Sequence, residues 1–304
     1  LAAIDTANIT DAAITSANGA AGADTIRFNI AGGGVRTITL ASALPTITGQ
    51  VWIDGYSQPG ASANTLDIGS NAAIRIELNG NNSVATGLTI SGDDCWIRGL
   101  VLNRFTANSI NIAATANETW IHGCFLGTNA AGTATSGTGN GVAIFGSNGS
   151  VGGQDSDQRN IISGCTASPA ILLSGAACVG YELRNNNIGL SSDGTTVIGG
   201  VQVGIRAESG STQNRIGEYN CCYNRITGCT NQGVVVVDAA TQLDIRGNNI
   251  WGNGGLGIDL GNNGITLNDA GDGDSGPNNL MNFPVIVAAM TDLEGRVYVD
   301  FRSE

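Results

Sequence analysis

The chain contains no lysine. All 13 basic residues are arginine, they face 25 acidic residues, and the net charge is −12. A basic patch able to meet nucleic-acid phosphates is therefore not expected, and nucleic acid is excluded as a partner. No apolar run approaches the ~18 residues that a membrane-spanning helix needs, so no membrane span is expected. Aromatic residues make up only 5% of the chain, and His122 is the single histidine. None of the seven cysteines forms a CxxC pair, so a structural zinc site is not expected. Seven is odd, which leaves at least one thiol unpaired within a monomer. The sequence opens at Leu1 with neither Met nor a visible signal peptide, and so reads as a processed or partial chain.

What the chain has is glycine, 46 in all, and a repeat. Short β-branched runs recur at Gly141–Gly146, Ala170–Gly175, Val203–Ser209 and Gly233–Asp238. Each alternates inward and outward positions and is too short for a typical helix. A second type of run follows at Ile97–Leu102, Ile121–Leu126, Leu183–Ile188 and Ile245–Ile250, aligned without gaps. The units return every 22–34 residues between about residues 86 and 262. A longer period overlies them. Leu126–Asn129 matches Ile188–Ser191 at an offset of 62, and Ile162–Cys165 matches Ile226–Cys229 at an offset of 64. Two rungs thus form one larger unit.

Self-similarity of short strands at a fixed period is the mark of a solenoid. The expected fold is all-β, a right-handed parallel β-helix with a short N-terminal helical cap and an irregular C-terminal segment. Coils should stack at roughly 4.8 Å, the spacing of neighbouring strands. Asn186, Asn187, Asn248 and Asn249 are expected at bends, where Asn tolerates left-handed backbone and can bond from rung to rung.

Residues 1–40 are expected to form the cap and first strands, 41–265 the coils, and 266–304 an Asp-rich loop and C-terminal strand. Residues 10–18 read as a helix capped by Thr10 or Asp11. Strands are expected at 24–30, 35–40 and 51–55. The segment 296–301 reads as a strand that begins a further element.

Equivalent cysteines two rungs apart, such as Cys165 and Cys229, would lie about 9.6 Å apart, too far for a disulfide. Buried free thiols are one reading. One or two disulfides involving Cys221 and Cys222 are the other.

The stretches 22–30, 37–47, 53–60 and 267–286, together with the repeats, resemble bacterial secreted and cell-surface parallel β-helix repeat proteins. That resemblance implies an extracellular or cell-surface location and a capped β-helix. It implies no particular reaction.

Several residues are candidates for chemistry. Asp269, Asp272 and Asp274, with Asn268 and Asn278, offer hard oxygen ligands suited to Ca²⁺, the one cofactor considered. The competing reading is a solvated turn in which Asp and Asn cap local amides. Trp96 and Trp120 precede the aligned Ile97 and Ile121, so both should face outward in adjacent coils and offer a sugar or a protein a stacking surface. Asp93-Asp94 and His122 resemble pieces of the pectin-hydrolase pattern. However, His122 occupies the rung position of Arg98, Arg184 and Arg246 and is expected to face solvent. The neighbouring elements of that pattern are missing. A lyase would need clustered carboxylates on one face, and none accompany the rung arginines.

The function expected is a non-catalytic extracellular structural or adhesive protein, an adhesin or filament subunit. Its partners would be further copies joined through the solenoid ends, or a glycan or cell-surface partner. Val297, Tyr298, Val299 and Phe301 are the expected assembly strand, adding to an edge of the next copy. The alternative is a carbohydrate-binding or polysaccharide-degrading β-helix.

Overall fold

The computed structural model describes residues 2–4, 10–20, 22–219, 221–292 and 294–302. Among these, three parallel sheets of nine, eight and seven strands run along one axis, and a separate two-stranded hairpin follows them. Each coil from Val51–Asp54 onward contributes one strand to each sheet in turn, so the fold is a parallel β-helix.

Period-two alternation places every second residue inside. In the first sheet Ile26, Ile53, Ile97, Ile121, Val151, Leu183, Ile216 and Ile245 stand in register as one inner row. The second sheet supplies Ile38, Leu78, Leu102, Leu126, Ile162, Ile188, Ile226 and Ile250. Nearly all of these are buried. Burying an aliphatic side chain of this size stabilises by about 1.5–3 kcal/mol, and each row repeats that gain coil after coil.

Asparagine holds one corner. Asn160 Nδ2 donates to Asn186 Oδ1 (3.0 Å), Asn186 to Asn224 (2.9 Å) and Asn224 to Asn248 (2.9 Å). Each Nδ2 also donates to a main-chain carbonyl: those of Ile121, Val151, Leu183 and Ile216. Asn186 and Asn248 therefore sit at the bend, as expected. Asn187 and Asn249 do not, because they belong to the strands Asn187–Ile188 and Asn249–Ile250.

The two-coil period is a period of loops. Residues 127–139 and 189–202 bulge from one corner of alternate coils, with matching bridges Thr128–Thr135 and Leu190–Val197. Residues 152–160 and 217–224 bulge from another corner in the intervening coils. With the long loop 55–75 they cover the outer face of the second sheet. Val101, Phe125 and Ile161 point outward in register there and form a second small core with Ile74, Tyr56, Ala72 and Ala130. Loop 55–75 is tied down by Asn64 Nδ2 on the Ser156 carbonyl (2.8 Å) and by Ser70 N on the Ser192 carbonyl (2.5 Å).

The ends differ. Helix α1, Thr10–Gly19, buries Ala13, Ile14 and Ala17 against Ile26 and Phe28 and closes the N-terminal end. The side chains of its expected caps, Thr10 and Asp11, lie outside the described residues. Asn18 fixes the helix to the next turn, donating to the Thr46 carbonyl (2.7 Å) and accepting from Thr48 N (2.8 Å). At the other end, the segment after Leu260 folds back over the last coil but leaves an apolar cavity of about 420 Å³. Leu243, Ile245, Leu256 and Ile258 line it on one side and Ile265, Leu280, Met281 and Phe283 on the other. The hairpin Val285–Thr291 with Val297–Arg302 is antiparallel and largely exposed. The expected strand at 296–301 thus has a partner strand within the chain. The second sheet already begins at Arg36–Thr39, and the last coil ends with Ile258–Leu260.

Candidate functional site

With the second sheet covered, the outer face of the first sheet presents the most ordered row of side chains. The residue before each inner isoleucine points outward. In register this gives Trp52, Trp96 and Trp120, then Ser150, Glu182, Arg215 and Asp244. The three indoles form a ladder, with ring centroids 5.8 and 4.9 Å apart and planes tilted by 45° and 37°. Trp52 is 42% exposed, while Trp96 and Trp120 are half-buried. The expected pair is therefore brought together, and the structure adds Trp52. Trp52 stands one residue before Ile53, the same signal that marked the other two, but it lies ahead of the aligned repeats.

A second outward row runs two residues further along. Arg98 Nε and Nη2 donate to the two carboxylate oxygens of Asp54, both at 2.9 Å. These bonds raise the arginine's pKa further, so the guanidinium stays charged. His122 is in register with Arg98, as its alignment with the rung arginines implied. It is not solvent-facing: only 7% of it is exposed. Its ring meets Trp96 edge-on at 5.5 Å, and Nε2 lies 3.0 Å from Ser150 Oγ. The neighbouring coils cover it, which alignment within one coil could not reveal. Burial, then the Arg98 charge, lowers its pKa to about 4. The imidazole is neutral at physiological pH.

Beyond Ser150 the row becomes ionic. Arg215 pairs with Glu218 (3.0 Å), Glu182 (3.2 Å) and Asp244 (3.5 Å), and Arg246 pairs with Asp244 (2.8 Å). Arg184 pairs with Glu182, and Arg246 lies 5.0 Å over the Tyr219 ring. Each of these arginines is paired with at least one carboxylate.

The remaining candidates are dispersed. Asp93 caps Asn117 N at 2.9 Å, and Asp94 accepts from the Gln50 amide. Both belong to a turn. At the C-terminal loop, Asp269 accepts from Gly273 N (3.2 Å) and Asp272 from Asn282 N (2.9 Å). Among the described residues no group of three His, Cys, Asp or Glu side chains, Asp274 included, is arranged to hold a metal ion. Val297, Tyr298, Val299 and Phe301 are at least half exposed.

Cys95, Cys124, Cys165, Cys178 and Cys229 are buried and free, and the adjacent Cys221 and Cys222 form a disulfide. Both sequence readings of the cysteines thus hold, each for different residues. Burial pushes the thiols of Cys124, Cys165, Cys178 and Cys229 up to about 12.

No family model matches the chain, and no curated protein does. Among solved structures, the crystal structure of an alginate lyase from Paenibacillus sp. str. FPU-7 aligns at 16% identity, over 86% of this chain and 98% of that one, with a TM-score of 0.28.

Proposed function

We propose that the protein is a non-catalytic, extracellular glycan-binding β-helix, which holds a carbohydrate chain along the outer face of its first sheet. The observation that carries this is the Trp52–Trp96–Trp120 ladder. Indole faces offer apolar surface to the C–H faces of sugars, although the Trp96 N–H is itself buried and takes no part. The Asp54–Arg98 pair two residues along supplies charged donors and acceptors beside the ladder. A binding role is preferred to a hydrolytic one because the only histidine is buried and neutral.

The test is retention on immobilised polysaccharides. Trp52→Ala and Trp120→Ala should each weaken retention tenfold or more with an unchanged circular dichroism spectrum. Equal retention by all variants overturns the proposal. Shortening of the polysaccharide by wild-type protein would replace it with the degrading alternative.

A second reading, assembly, is favoured by the open apolar cavity at the C-terminal end beside an exposed hairpin. Helix α1 closes the other end, so a contact through the C-terminal end is preferred to a head-to-tail filament. Val299→Lys with Phe301→Lys should then lower the sedimentation coefficient of concentrated protein. A monomer in both forms rules assembly out.

A further inference from the structure

A second site lies at the corner between the first and second sheets. Here the loops 55–75, 152–160 and 217–224 enclose a polar cavity of about 180 Å³. Two guanidinium groups, Arg159 and Arg225, reach it.

Arg159 is only 7% exposed. Its Nε donates to Asn185 Oδ1 (2.8 Å), its Nη1 to the Leu66 and Gly69 carbonyls (2.8 and 2.5 Å), and its Nη2 to the Asp67 carbonyl (2.6 Å). All four acceptors are neutral. Arg225 donates to the Gly194 carbonyl (3.2 Å) and the Tyr223 hydroxyl (2.9 Å), again both neutral, and sits 5.2 Å over the Tyr223 ring. Three of its five N–H groups have no partner among the described residues. Among the described residues neither arginine forms an ion pair, as is also true of Arg27, Arg36, Arg75 and Arg104, whereas Arg98, Arg184, Arg206, Arg215, Arg246 and Arg296 do. A buried cation without a counter-ion is costly. Arg225 is only part-buried and the Asp67 carboxylate also borders the cavity, but two guanidinium groups outnumber that one acid, and the three unpartnered Arg225 N–H groups are free to take an anion from outside.

The rest of the cavity indicates what carries the anion. The Cys221–Cys222 disulfide closes a small ring through the peptide bond that joins the two residues, and it lines the cavity beside Tyr223. That ring is a rigid apolar surface next to a cationic wall. It suits a molecule with a carboxylate at one end and a flat C–H face behind it.

We propose that this corner cavity binds a hexuronate. Arg225 takes the carboxylate in a two-pronged contact, Arg159 supplies the positive field behind it, and the sugar ring rests on the Cys221–Cys222 disulfide and Tyr223. Planar guanidinium forks match carboxylates better than any other side chain does. The choice of a sugar as the carrier rests on the glycan reading above. The site shares no residue with the tryptophan row, so the two fail independently.

The experiment is isothermal titration of the intact protein, at fixed ionic strength, with glucuronate, glucose and sulfate. Glucuronate should bind at one site with millimolar affinity. Glucose should give no heat, and sulfate should bind at least tenfold more weakly. Arg225→Gln should lower glucuronate affinity at least tenfold while leaving retention on neutral polysaccharides in place. Tyr223→Ala should weaken it without changing the unfolding midpoint, so the result does not hang on one variant. Absence of glucuronate binding overturns the proposal, as does an unchanged affinity in Arg225→Gln. Sulfate binding as tightly as glucuronate marks an adventitious anion site only and also overturns it.

Discussion

His122 is one of the residues most sensitive to conditions. Its pKa is about 4 in the folded chain, where burial and Arg98 disfavour the imidazolium, and about 6.5 when unfolded. Between those values the unfolded chain holds a proton that the folded chain does not. Its stabilising contribution is therefore complete above about pH 6.5 and is lost as pH falls towards 4, on the order of 3 kcal/mol in all. Urea unfolding across this range should show that loss, and His122→Gln should flatten it. The cysteines give a complementary expectation. With thiols raised to about 12 by burial, the native protein at pH 8 should resist iodoacetamide. The five free cysteines should label only on unfolding, and mass spectrometry should show one disulfide beside them.

At the scale of the element, a coil is held to its neighbours by an apolar row and by the asparagine row. Asn224 accepts from Asn186 Nδ2 and Asn186 N, and donates to Asn248 and to the Leu183 carbonyl. Removing it leaves Asn186 N–H donors and the Leu183 and Asn248 oxygens without that partner, on the two neighbouring coils. Asn224→Ala should cost on the order of 3 kcal/mol, and Asn224→Asp should not rescue it, because a carboxylate cannot donate. Chemical denaturation of both variants checks this. Ile121→Ala, in the middle of the first sheet's inner row, should cost about 2–5 kcal/mol by opening a cavity. Strand alternation made that inner row legible in the sequence, and it made the outward Trp96 and Trp120 legible too. Asn160 and Asn224 were not visible in the same way, because the loops 152–160 and 217–224 break the gapless alignment. Their signal was present: each stands two residues before an inward-facing isoleucine, as Asn186 and Asn248 do. The burial of His122 had no signal within its own coil, because the atoms that cover it come from neighbouring coils.

For the whole molecule, the ends and the faces decide what can be met. Helix α1 is the plug of the N-terminal end, and its buried residues are few: Ala13, Ile14 and Ala17. Ile14→Asp should open that end and lower the unfolding temperature, with soluble aggregates seen by light scattering. Each run of the second type, such as Ile97–Leu102, divides between strands of two sheets, and the β-helix was legible from the repeat. Which face stayed open was not, because loop 55–75 lies outside the repeat and reaches the Ser156 and Ser192 carbonyls by contacts distant in sequence.

Because long loops leave one corner and then another in the four successive coils from Asn117 to Val236, that stretch of the solenoid cannot change its length freely. Adding or removing a single coil would set a 127–139-type loop where a 152–160-type loop must pack, and the cover over the second sheet would lose its fit. The molecule is a ruler graduated in pairs, about 9.6 Å to the division. Related chains of other lengths should therefore differ from it by whole divisions.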